Sequence, residues 1–110
     1  MARHWDRTKE TLVPLTFYLP AGASAKYYAL YAQDIVQIVF HNDSATTLTS
    51  AATVTNAGDT VATSSLLAGA AVEEGTIDTD YDDVAADATL TITAGNQPMS
   101  ITVLLTSDWS

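Results

Sequence analysis

The chain contains no cysteine. Disulfide scaffolds, thiolate metal sites and cysteine nucleophiles are therefore excluded, and cysteine usage does not report a redox compartment. Histidine occurs only as His4 and His41, too few for a multi-histidine metal centre. Basic residues are scarce too: four stand against thirteen acidic ones, for a formal charge of −9. No apolar run approaches the roughly 18 residues of a membrane span. The opening Met-Ala-Arg-His-Trp-Asp-Arg is polar and lacks the apolar stretch of a secretory signal. A phosphate-cradling glycine loop and a dinucleotide fingerprint are both missing. What is present is 110 residues, 47% of them hydrophobic, which suits one domain with a real core.

Charge is unevenly placed. Arg3, Arg7, Lys9 and Lys26 share residues 1–26 with two anions, a balance of +2; residues 27–110 hold eleven anions and no cation, a balance of −11. So acidic a body repels phosphate backbones and anionic lipid surfaces, so neither nucleic acid nor membrane is expected as a partner. Residues 1–10 read as an extended N-terminal arm and residues 11–110 as a single domain. Arg3 and Arg7 suit pairing with carboxylates of a neighbouring copy, and Trp5 suits anchoring in an apolar pocket. The simpler alternative is an arm that frays while the body's charge maintains solubility. Trp5 and Trp109 lie near opposite termini and either anchor contacts or pack together under the sheets.

The pattern along the chain has period two. Val13, Leu15, Phe17 and Leu19 fall on one face of a strand. Pro14 inside that run marks an edge strand or a bulge. Pro20-Ala21-Gly22 reads as a turn. Residues 25–32, with three tyrosines, read as a strand, and Val36, Ile38 and Phe40 alternate in the next. His41-Asn42-Asp43-Ser44 reads as a turn. Residues 46–55 and 60–64 read as strands around the turn Asn56-Ala57-Gly58-Asp59. Residues 65–75 fit either a helical turn or a loop packed on one end of the sheets. The acidic stretch 73–87 offers Ile77, Tyr81 and Val84 as inward contacts. Thr89–Thr93 and Met99–Thr106 alternate on either side of a turn and read as a hairpin. Seven or eight short strands make an all-β chain: an antiparallel β-sandwich, of which a jelly-roll is one form. Seventeen threonines and eighteen alanines dominate, and threonine suits a pleated face that stays wettable.

Catalytic groups are sparse. His41 and Asp43 share a side only if the strand runs on through the turn, and Asn42-Asp43-Ser44 argues against it, so no Ser-His-Asp site is expected. Asp78, Asp80 and Asp82 alternate as at the start of a calcium loop, but Asp83 stands where that loop needs glycine and Thr89 where it needs glutamate. The options there are a looser calcium site between sandwich loops or a solvated acidic loop. Tyr27, Tyr28 and Tyr31 either stack sugars or bases or fill the sandwich rim. No other cofactor is called for.

The stretch Val13-Pro14-Leu15-Thr16-Phe17-Tyr18-Leu19-Pro20-Ala21-Gly22, followed by Tyr27-Tyr28-Ala29-Leu30-Tyr31-Ala32, resembles the opening of small capsid decoration proteins of tailed bacteriophages. Asp83 to Ile92 and Ser100 to Leu105 resemble their closing strands, although glycine would be more usual at Asp87. The resemblance spans roughly residues 11–106. It implies a non-enzymatic cement protein on the capsid exterior, made in the host cytoplasm. Its partners would be the major capsid protein and itself, as a symmetric homo-oligomer, a trimer rather than a dimer. The alternatives are a carbohydrate-binding or adhesive β-sandwich module, with or without calcium, and another phage part such as a head fibre, spike base or tail accessory.

Overall fold

The computed structural model describes residues 11–106. Nine strands run in chain order: β1 Leu12–Leu19, β2 Ser24–Tyr28, β3 Gln33–Asn42, β4 Thr53–Asn56, β5 Asp59–Thr63, β6 Val72–Glu74, β7 Asp83–Val84, β8 Thr89–Thr93 and β9 Met99–Thr106. They form two antiparallel sheets packed as a sandwich. One has the order β1-β9-β3-β6 with the short β7 also on β3, and the other the order β2-β8-β4-β5. No helix occurs among the described residues.

Alternation decides which side chains meet between the sheets. Ile38, Phe40, Val54, Leu90, Ile92, Met99, Ile101, Val103 and Leu105 are all buried, each at an odd or even position fixed by its strand. Burying an aliphatic or aromatic side chain of this size contributes about 2 kcal/mol, so these inner faces hold the fold. Val13, Leu15 and Phe17 on β1 are half-buried and Leu19 is buried, the face expected from the sequence. Pro14 sits opposite Leu104 on β1, an edge strand among the described residues, where a missing ladder donor is tolerated.

Several expectations change. The last two strands are not a hairpin: β8 pairs with β2 and β4, whereas β9 pairs with β1 and β3. Residues 94–98 therefore carry the chain from one sheet to the other. The strand expected over 25–32 ends at Tyr28, and Ala29 instead exchanges backbone hydrogen bonds with Ala88 and Asp87. Of residues 46–55 only Thr53–Thr55 are strand, leading into Asn56. The preceding segment is tied to other loops, with Leu48 N–H donating to Leu67 O and the amides of Thr49 and Ser50 donating to Asn96 Oδ1. Residues 64–71 take the loop option. In the acidic stretch Val84 is buried and Ile77 packs on the core, but Tyr81 is exposed.

Asn42 organises one end of the sandwich. It is fully buried. Its Nδ2 donates to Thr46 O (2.8 Å), Leu67 O (3.2 Å) and Ala68 O (3.2 Å), and its Oδ1 accepts from Ser44 N (3.0 Å) and Ser44 Oγ (2.9 Å). One amide thus joins the β3–β4 and β5–β6 connections. Asn56 does similar work at the opposite end, donating to Tyr81 O (2.9 Å) and Asp83 O (2.8 Å).

Candidate functional site

Three surfaces of the sandwich carry chemistry. The first is an acidic end. The register places the β2–β3 connection, the β4–β5 turn and the residues flanking β7 at one end of the sandwich, beside the start of β1 and the finish of β9. Asp34, Asp59, Asp82, Asp83 and Asp87 lie there, and Asp34 stands opposite Asp83 in the β3–β7 register. A cleft of about 370 Å³ opens between them, lined by Gln33, Asp34, Asp83, Val84, Ala85 and Thr106 among others. Gln33 forms its buried wall, accepting from Tyr27 Oη (2.6 Å) and donating to Thr106 O (2.8 Å). Leu30 projects from the same end, 76% exposed.

Asp78, Asp80 and Asp82 do not gather into a metal-holding group; no cluster of three or more His, Asp or Glu among the described residues does so. The backbone explains the separation. Asp78 N–H donates to Val61 O of one sheet, and Asp82 O accepts from Ile35 N–H of the other, so the segment is drawn across the sandwich. Asp78 Oδ1 instead accepts from Asp80 N (3.0 Å), an aspartate side chain closing its own turn.

The second surface is the outer face of the four-stranded sheet. Register aligns Ser24, Thr93, Thr53 and Thr63 in one row and Lys26, Thr91, Thr55 and Thr60 in the next, with Tyr28 beside Thr89. Ser24 Oγ and Thr93 Oγ1 share a hydrogen bond of 2.9 Å. This is the wettable threonine face that composition implied. Tyr27 packs toward the core and Tyr28 points outward, so these two form no common stacking platform.

The third is the outer face of the five-stranded sheet. Its rows are Tyr18, Ser100, His41 and Val72; then Thr16, Thr102, Val39 and Glu74; then Pro14, Leu104 and Gln37. Leu12 extends the patch. β3 continues through Asn42, against the turn expected from the sequence, and His41 and Asp43 do share a side. His41 Nδ1 lies 2.6 Å from Asp43 Oδ1, with the side chains 40% and 32% exposed. Ser100 Oγ donates to Asp43 Oδ2 at 2.7 Å. The carboxylate is therefore the centre of this trio. A nucleophilic serine needs the imidazole as its proton acceptor, and here the imidazole and the hydroxyl both address the carboxylate. Pairwise distances in three dimensions, rather than spacing along the chain, reveal this trio: Ser100 reaches Asp43 only through the β3–β9 register.

Arg3, Trp5 and Arg7, the sequence candidates for partner binding, lie outside the described residues, as does Trp109. The chain matches no protein-family model and no curated protein.

Proposed function

We propose that this chain is a non-enzymatic virion structural protein: a decoration or cement protein on the outer surface of a tailed-bacteriophage capsid. It binds the major capsid protein and itself, and as a symmetric oligomer it stabilises capsomer contacts. The strand order carries the reading. Setting aside the two-residue β7 and renumbering, the sheets run 1-8-3-6 and 2-7-4-5. That order supports a jelly-roll, an architecture used by viral capsid proteins and by lectins. The resemblance over residues 11–106 favours the capsid over the lectin.

Charge placement supports a mechanism for the arm. Three of the four cations lie in residues 1–10, and β1 starts at the acidic end. Arg3 and Arg7 would pair with carboxylates on a neighbouring subunit and Trp5 would enter an apolar pocket there. Many weak contacts repeated around a shell sum to firm attachment.

The test is co-sedimentation of the protein with shells of the major capsid protein of the virion it is proposed to coat, followed by thermal scans of the shells. Bound protein should raise the shell's melting temperature, and removal of residues 1–10 should abolish binding while leaving the domain folded. Undiminished binding by the truncated chain removes the arm from the mechanism, and failure of the intact chain to bind removes the cement reading. The lectin-like alternative predicts retention on a glycan array, or a melting shift with calcium that chelation reverses. A cement protein held together as described should melt at the same temperature with calcium and with chelator.

A further inference from the structure

We propose that the cleft at the acidic end of one copy receives residues 3–7 of a neighbouring copy, a contact that rests on the arm reading above and names what the arm grips. The cleft has a mixed character. Asp83 and Ala85 stand exposed on its rim, and Ala32 and Val84 add apolar wall. Leu30, exposed at the same end, extends the apolar ground. The volume of about 370 Å³ falls within the roughly 300–1,000 Å³ of sites that hold small organic groups. Gln33 lines the cleft and is only 4% exposed. A glutamine amide carries two hydrogens. One goes to Thr106 O, and the other has no acceptor among the described residues. A buried donor left in that state is costly, and a main-chain carbonyl of an extended segment laid in the cleft would accept it.

Charge names the occupant. Residues 27–110 hold no cation, and Lys26 lies on the outer face of the four-stranded sheet. Only residues 1–10 of this chain, with Arg3, Arg7 and Lys9, complement the acidic end. Arg3, Trp5 and Arg7 are spaced two apart, which puts all three on one side of an extended segment, about 7 Å from one to the next. The indole would lie against Ala32, Val84 and Ala85. The guanidiniums on either side would meet the carboxylates gathered at that end, Asp83 foremost. Chain length selects the neighbour. β1 and β3 both flank β9, so the cleft beside β3 and β7 lies about 10 Å from the start of β1. Trp5 is six residues before Thr11, about 20 Å of extended chain, and residues 1–11 contain no glycine, proline or asparagine to turn it back. An extended arm therefore overshoots its own cleft and reaches that of the next copy. Donor and receiver are different surfaces, so the contact is heterologous and closes as a ring in which each copy gives one arm and takes one. A ring of three meets the trimer that the resemblance implies.

The experiment is light-scattering mass across a dilution series of the full chain and of two full-length variants: Trp5→Ser, which spoils the arm, and Asp83→Lys, which spoils the cleft. The wild type should have the mass of three 11.6 kDa chains. Each variant should associate about tenfold or more weakly, and Thr91→Asp on the outer face of the four-stranded sheet should not. Mixing separates a neighbour's cleft from the chain's own. Trp5→Ser keeps its cleft and Asp83→Lys keeps its arm, so at a concentration where each alone has the mass of one chain, the two together should form a pair. If Asp83→Lys unfolds, Ala85→Arg on the same exposed rim serves in its place. A wild type with the mass of one or two chains at about 100 µM, a mass insensitive to either variant, or a mixture that stays monomeric overturns the proposal. A trimer with these responses that ignores capsids would leave the contact standing and remove the cement reading, and a monomer that coats capsids would do the reverse.

Discussion

Asn42 shows how much of this fold depends on one polar side chain. Its amide serves three carbonyls on two connections, and its oxygen takes two donors from Ser44. Buried groups left without partners cost about 1–3 kcal/mol each. Asn42→Ala should therefore destabilise the domain by about 3 kcal/mol, and Asn42→Asp by at least as much, since it turns donors into acceptors facing carbonyls. Guanidinium unfolding with an unchanged slope and a lowered midpoint checks this. Asp87 is a second instance. Its φ is +70°, a left-handed conformation that glycine adopts freely and aspartate tolerates. Aspartate instead adds a contact, accepting from Tyr28 Oη at 3.0 Å.

Among the elements, the connection between β8 and β9 is tightly constrained. A Cβ at Gly95 would collide with the carbonyl oxygen of Ser50 and crowd Leu48. Gly95→Ala should lower stability by about 2 kcal/mol, read as a fall in melting temperature, whereas Gly58→Ala, where a Cβ meets nothing within 4 Å and only φ (+93°) objects, should cost about 1 kcal/mol. Gly95 also marks what the sequence left illegible. Alternation in Thr89–Thr93 and Met99–Thr106 correctly placed both strands and their inner faces, because burial on one side forces period two. It could not distinguish a hairpin from a crossover between sheets, since both place a turn between two alternating runs. The same limit hid the His41–Asp43–Ser100 trio, which exists only through a pairing of strands far apart in sequence. Residues 46–52 misled for another reason: their threonines have strand propensity, but the neighbouring loops and Asn96 capture their amides. The edge position of β1 was one of the two readings that Pro14 allowed, the other being a bulge, because proline cannot donate to a central ladder.

For the molecule as a whole, the surfaces differ in kind: hydroxyls and Lys26 on the outer face of one sheet, apolar side chains interspersed with hydroxyls, His41 and Glu74 on the other, and carboxylates gathered at one end. These are directional properties, suited to a subunit that must be oriented in a larger body. Contacts of the basic arm with carboxylates of a neighbouring subunit should weaken as salt rises, read by co-sedimentation across a salt series.

The first and last strands lie side by side, with Leu12 directly paired to Thr106. Residues paired across an antiparallel ladder stand about 5 Å apart, so a short glycine-serine bridge could join the two ends of the body without strain. Cutting the chain at Ala57–Gly58 instead, a two-residue exposed turn, should give a circularly permuted domain with the same circular dichroism spectrum. The sandwich is in effect a closed loop of polypeptide whose point of opening is interchangeable, with Leu12 and Thr106 at one pole.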